Sequence, residues 1–269
     1  MNNRHNILLF ITVSLFVALA GGSSAGADQT TVDEIVSKAN RAAFYQGADG
    51  RAQVKMTITD NQARERIREF VILRLNVEEG GAQKYYVFFE KPDDVANMVY
   101  MVWKYTDKDD DRWLYLPALD LVRRVASGDK RASFVGSHFL YEDVSGRGIG
   151  EDVHELIEET DEYYKLKNTP KDPDSVEFAY YELWIDKKTY MPTRAEYHDE
   201  QGSLYRVVEA LEIQEIQGLP TVIRSKASDL TGGGSTVTEF SNVEYNIGLT
   251  DDIFTERYLR RPPVRWIRR

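Results

Sequence analysis

With 269 residues, no cysteine and a formal net charge of −10, the chain can form no disulfide, thiolate metal centre or cysteine nucleophile, and it lacks the acylated cysteine of a lipoprotein anchor. The excess of acid over base also argues against nucleic acid as a partner. The length suits one large β domain or two smaller ones, and without an internal repeat or long linker a single domain is expected over residues 28–260.

Arg4 and His5 precede an apolar run from Ile7 to Ala20, followed by small residues ending Ala25-Gly26-Ala27. A charged start, an apolar middle and a small-residue end make a signal peptide, so residues 1–27 are expected to leave by cleavage after Ala27. The run is shorter than the roughly 20 residues of a membrane span.

Helical periodicity is strong once. In "TVDEIVSKANRAAFY" Thr31 can cap, Glu34 sits three residues later, and Val32, Ile35, Val36, Ala39 and Phe44 share a face. One amphipathic helix should therefore open the mature domain. Next, "IREFVILRL" sets Ile67, Val71, Leu73 and Leu75 on one face of a strand, and "KYYVFFE", "MVYMVWKY" and "DRWLYLP" are dense in aromatic and β-branched residues. "EDVHELIEET" places Val153, Leu156 and Ile157 at helical spacing, which predicts a second, short helix. The prolines of "NTPKDPDS", 168–175, predict a long exposed turn. Beyond it, "FAYYELWID", "MPTRAEYHD", "SLYRVVEALEIQEIQ", "PTVIRSKASD" and "STVTEFSNVEYN" alternate with short turns, the pattern of hairpins in series and of an antiparallel sheet.

Some strands are apolar on both faces: Ala179, Tyr181, Leu183 and Ile185 oppose Phe178, Tyr180 and Trp184. A sheet with one wet face alternates. Both faces should therefore be covered, by a helix, by an opposite wall or by a ligand; the plainer alternative is an ordinary aromatic core.

The densest cluster of chemical groups is "SFVGSHFLYEDVSGRG", 133–148, where His138 lies near Glu142 and Asp143. Such neighbours could set an imidazole for acid–base work. However, the chain has no G-x-S-x-G elbow, no H-E-x-x-H pair and no phosphate-binding glycine loop. A zinc site from His138, His154, Glu142 and Asp143 would lack a spacing motif, so neither metal nor cofactor is expected. The glycines predict a shaped loop whether or not chemistry happens there.

The stretch "DRWLYLPALDLVRRVASGDKRASFVGSHFLYEDVSGR", 111–147, resembles the signature of the bacterial outer-membrane lipoprotein-sorting protein family, relatives of the periplasmic carrier LolA. The resemblance runs from Trp113 to Pro117, through Arg123 and Arg124, to Ser133–Ser137 and Tyr141–Asp143. "LWIDKKTYMPTRAEYHDEQGSLYRVVEALEIQEIQGLPTVIRSKASD", 183–229, and "NVEYNIGLTDDIFTERYL", 242–259, are similar to later parts of the same domain. The resemblance implies a mainly β fold, an unclosed antiparallel β-barrel or strongly curved sheet with an N-terminal helix and short lid helices. It also implies a monomeric, non-enzymatic periplasmic carrier of lipid or acylated protein, working between an inner-membrane exporter of the resistance-nodulation-division type and an outer-membrane acceptor. A periplasmic sensor or adaptor on the same barrel, binding lipid or misfolded outer-membrane protein to regulate a membrane partner, is the alternative, and an enzyme centred on His138 the third.

On this reading the cavity or lid candidates are Trp103, Trp113, Tyr115, Leu116, Phe134, Phe139, Leu140, Tyr141, Tyr181 and Trp184. Alternation sends Trp113 and Tyr115 to one face and Leu114 and Leu116 to the other, and only one pair can line a lumen. Glu142 and Asp143 are expected to pair with Arg123, Arg124 or Arg147 and so fix the loop. Residues 261–269 read as a basic tail, and Arg260, Arg261, Arg265, Trp266, Arg268 and Arg269 are candidates for docking on anionic lipid or an acidic partner; the alternative is that the tail folds back on the protein's own acids.

Overall fold

A computed structural model describes residues 30–268; the expected signal peptide and its cleavage point lie outside the described residues, as does Arg269. Helix α1 (Val32–Phe44) opens with the two-way cap that the sequence predicts. The Glu34 amide donates to the Thr31 hydroxyl, and the Thr31 amide donates to the Glu34 carboxylate. Its buried stripe of Ile35, Val36 and Ala39 is the face the periodicity marks.

A first meander follows: β1 (Asp49–Thr59), β2 (Glu65–Asn76), β3 (Gln83–Lys91), β4 (Val99–Lys104), β5 (Asp111–Leu116) and β6 (Leu121–Val125). After a long connection, which holds the short helix α2 (Tyr141–Ser145), a second meander comprises β7 (Asp152–Glu159), β8 (Tyr163–Pro170), β9 (Tyr180–Asp186), β10 (Pro192–His198), β11 (Leu204–Ile216), β12 (Leu219–Asp229) and β13 (Ser235–Tyr245). Antiparallel pairing of β13 with β1 fuses the two into one 13-stranded sheet whose edges are β6 and β7. The sheet is not closed. The chain crosses from one edge to the other through residues 126–151, which include the glycine-rich loop.

Two local expectations change. "EDVHELIEET" is β7, an edge strand with a bulge between Leu156 and Glu158. Val153 and Ile157 are exposed on the outer face while Leu156 turns inward, so apolar residues of both faces fall at a spacing that imitates a helix. The 168–175 stretch is divided between the end of β8 and a single 3₁₀ turn, Pro173–Ser175.

The first meander is covered on both faces. On its inner face Phe70, Val87, Phe89, Tyr100 and Leu114 pack with Phe134 and Tyr141 of the 126–151 connection. Its outer face, with Val71, Leu73, Tyr86, Met101 and Trp113, is covered by the C-terminal segment. That segment is fastened at intervals. Asp49 accepts the amides of Ile247, Gly248 and Leu249; Trp103 Nε1 donates to the Phe254 carbonyl at 2.8 Å; and Tyr86 donates to the Tyr258 carbonyl at 2.6 Å. Helices α3 (Glu256–Arg260) and α4 (Val264–Ile267) complete the cover, and buried Arg51 donates to the carbonyls of Trp266 and Ile267, both at 2.9 Å. On the second meander, α1 packs its stripe against Tyr164, Leu166 and Ile185 of the inner face.

Candidate ligand cavity

Between the inner faces lies a cavity of about 510 Å³. Ladder register sets one row of its wall: Met56 of β1 opposes Thr238 of β13, Thr238 opposes Ser225 of β12, and Ser225 opposes Ala210 of β11. Small side chains in that row leave room that larger ones would fill. Phe70, Ile72, Val87 and Phe240 supply an apolar flank, and Val36, Ala39 and Ala43 of α1 face it. Phe139 and Val144 bring the connection to the same space.

The connection is locked by buried charge. Glu142 accepts Arg131 Nη1 at 2.7 Å, with Lys130 at 3.4 Å and Arg147 at 3.3 Å. Arg147 continues to Asp152 at 2.9 Å, and Asp152 also accepts the Tyr181 hydroxyl at 3.0 Å. Asp143 accepts the Leu140 amide at 2.7 Å and pairs with Arg206 of β11. Arg131 reaches Glu177 as well, at 2.6 Å, and lies over the rings of Phe178 and Tyr197. Burial pushes the Glu177 carboxyl up, but its hydrogen bond and attraction to Arg131 outweigh this and hold it below the usual range.

A second fastening joins α1, β4 and α2. Lys104 Nζ donates to the carbonyls of Ser145 and Gly146 at 2.6 and 2.7 Å, beneath the Phe44 ring. Burial lowers its ammonium to about 8. Arg74, on β2, donates to the carbonyls of Phe44 and Gln46 and so holds the C-terminal end of α1.

Of the residues singled out from sequence, Phe134, Phe139 and Tyr181 border the cavity. Tyr141 stands behind it, its ring 5.1 Å from Tyr100 and 5.6 Å from Phe134. Leu116 is on the inner face and Leu140 is half-buried in the connection, but neither borders the cavity. Trp103, Trp113 and Tyr115 are on the opposite face, where the C-terminal segment covers them. Strand alternation places Trp184 outside too, since Leu183 borders the cavity; Trp184 lies under Lys165 instead. Phe178, which precedes β9, escapes that alternation and packs edge-on against Tyr181 and Tyr197.

The ion pairs need similar correction. Arg147 does meet Glu142. Arg123 pairs with neither acid among the described residues, and Arg124 is held by Asp111 on the outer face. Lys130, Arg131 and Arg206 take the expected roles, as contacts across the chain that no local motif marks. The basic end is not a free tail: Trp266 and Ile267 are buried in the outer core, Arg260 pairs with Asp120 at 2.9 Å, and Arg261, Arg265 and Arg268 are exposed.

Neither proposed histidine centre assembles. His138 bonds Thr236 Oγ1 through its amide at 3.0 Å and Nδ1 at 2.8 Å. His154 is held by Asn168 and the Ile149 carbonyl, at 2.7 and 2.8 Å. The two acids are spent on arginines, so the four residues do not converge.

This architecture defines a class: an unclosed antiparallel barrel whose inner cavity is bounded by a helix and a locked crossover. A model of a family described only as an uncharacterized protein matches residues 81–261, and the chain belongs to that family. The chain is similar to a DUF1329 family protein from Desulfovibrio piger, with 28% identity and a TM-score of 0.76 over 85% of this chain and 98% of that one. It is also similar to a putative outer membrane lipoprotein-sorting protein domain from Vibrio parahaemolyticus, at 26% identity and a TM-score of 0.75 over 84% and 97% of the two chains. A LolA superfamily protein from Nitrosomonas europaea shares the fold, at 21% identity and a TM-score of 0.66 over 85% and 99%. No curated protein matches.

Proposed function

We propose that this protein is a periplasmic carrier that shields the acyl chains of a lipid or acylated protein inside its half-open barrel. The observation that carries the reading is the cavity of about 510 Å³, walled by aliphatic and aromatic side chains and roofed by separate elements, α1 and the crossover. An acyl chain gains about 0.8 kcal/mol for each methylene removed from water, which requires an apolar sleeve and no chemistry. Similarity to a lipoprotein-sorting domain supports the same cargo class. The signal-peptide pattern of residues 1–27 supports export. In this scheme an inner-membrane exporter of the resistance-nodulation-division type loads the barrel and an outer-membrane acceptor empties it. The exposed Arg261, Arg265 and Arg268 meet anionic headgroups during transfer.

The test is native mass spectrometry of the mature protein, purified from a periplasmic fraction without detergent and followed by lipid extraction. A near-stoichiometric acylated ligand is expected, with an Ala210→Trp variant, which fills the wall row, carrying much less. A clean apo mass together with no uptake of offered phospholipid would overturn the carrier reading and turn attention to a protein-binding adaptor.

A further inference from the structure

The outer face of β9 and β10, on the far side of the sheet from the cavity, carries a separate constellation. Glu182 and Glu196 are direct partners in the ladder, where like charges repel. Each is braced from one side: Lys165 Nζ lies 2.7 Å from Glu182 Oε2, and Arg194 Nε 2.7 Å from Glu196 Oε1. The second oxygen of each carboxylate is left for another partner.

His198 lies two residues beyond Glu196 on the same face, its ring stacked on Tyr180 with centroids 4.6 Å apart. Its Nδ1 is 3.2 Å from the Gly202 carbonyl. The carbonyl can only accept, so Nδ1 carries a proton, and in the neutral ring Nε2 is the acceptor. Nε2 is shut off from solvent and has no hydrogen-bond partner among the described residues. One ligand atom from each of Glu182, Glu196 and His198 lies within 4.8 Å of the others. Three acceptors thus converge with no donor among them, an arrangement that a cation completes.

We propose that Glu182, Glu196 and His198 form a binding site for a divalent ion of the zinc class. One imidazole nitrogen with carboxylate oxygens suits zinc better than calcium or magnesium, which take oxygen alone. Every ligand already has the outer partner such ligands use: a carbonyl for the imidazole N–H, and a hydrogen-bonding cation for each carboxylate. Zinc holds its ligands at about 2.0–2.2 Å in a tetrahedron, so two ligands stand about 3.4 Å apart, and closing the site takes up to roughly 1.4 Å of side-chain movement. Lys165 and Arg194 offset the two carboxylates beforehand, which makes the affinity modest. Bound there, the ion would staple β9 to β10 and the turn at Gly202, directly behind the wall that Tyr181, Leu183 and Tyr197 present to the cavity.

Zinc chloride titrated calorimetrically into chelator-treated, untagged mature protein tests this. One ion per chain is expected, with His198→Ala and Glu182→Gln each weakening binding by about tenfold or more. Circular dichroism and the metal-free unfolding midpoint should stay unchanged in at least one variant, and zinc should raise that midpoint only in the parent. Absence of one-to-one binding in the parent, or undiminished binding in a folded variant, would overturn the proposal. Neither result bears on lipid uptake.

Discussion

Lys104 ends β4 with its ammonium buried beneath Phe44 and aimed at two carbonyls, with no carboxylate of the described residues in direct contact. Burial lowers it to about 8, against an ordinary lysine near 10.4. Below pH 8 folded and unfolded chains both hold the proton, and the folded state bears the whole cost of burying the charge. Between about pH 8 and 10.4 only the unfolded chain still binds it, so this group's contribution makes stability rise with pH. Urea unfolding at pH 7.5 and pH 10 should show the rise smaller by about 2 kcal/mol in Lys104→Met than in the parent. An equal rise in both would show that Lys104 is not buried as a cation. Beside it, Gly146 has φ +76°, and a Cβ there would lie 2.5 Å from Phe44 Cζ. Gly146→Ala should cost about 1–3 kcal/mol, part of it backbone strain and part collision. In a Phe44→Ala background the collision disappears, so a double-mutant cycle should show coupling between α1 and the end of α2; additive costs would refute the contact.

Among the elements, the crossover from β6 to β7 depends most on one side chain. Glu142 is buried between Arg131, Arg147 and Lys130, so Glu142→Gln leaves buried cations short of their counter-charge. A cost of about 3–5 kcal/mol is expected. Hydrogen exchange of residues 126–151 should accelerate before that of β1 and β2 does; uniform acceleration would mean that the lock serves the whole sheet. The loop's shape is legible in its glycines, and α1 in Thr31, Glu34 and its apolar stripe, because those signals act within four residues. Partner choice is not. Asp143 finds Arg206 across 63 residues, and Arg131 is separated from Glu177 by 46. Aromatic richness likewise marks Trp103 and Trp113 as buried without saying which face buries them. That is decided by the C-terminal segment, whose arginines read as a docking tail, whereas Trp266 and Ile267 between them are buried in the outer core.

At the level of the whole molecule, the sheet could have closed edge to edge, and instead a crossover and a helix bound its interior. A closed barrel admits a chain end-on through its mouth, and sideways only by breaking backbone hydrogen bonds in a row. Here entry requires only that α1 or the crossover move, while all thirteen strands keep their pairing. The cavity should therefore act as a sleeve that measures length. Each methylene drawn from water contributes about 0.8 kcal/mol, roughly fourfold in affinity, until the space is filled. Displacement titrations with a series of monoacyl lipids should thus give a log-linear rise with chain length followed by a plateau, the break marking what about 510 Å³ holds. Ala210→Trp should move the break to shorter chains without changing the initial slope, since it removes volume from the wall and leaves the apolar lining intact. Affinity independent of chain length, or governed by the headgroup alone, would mean that cargo is held at the rim and that the interior is only a loosely packed core.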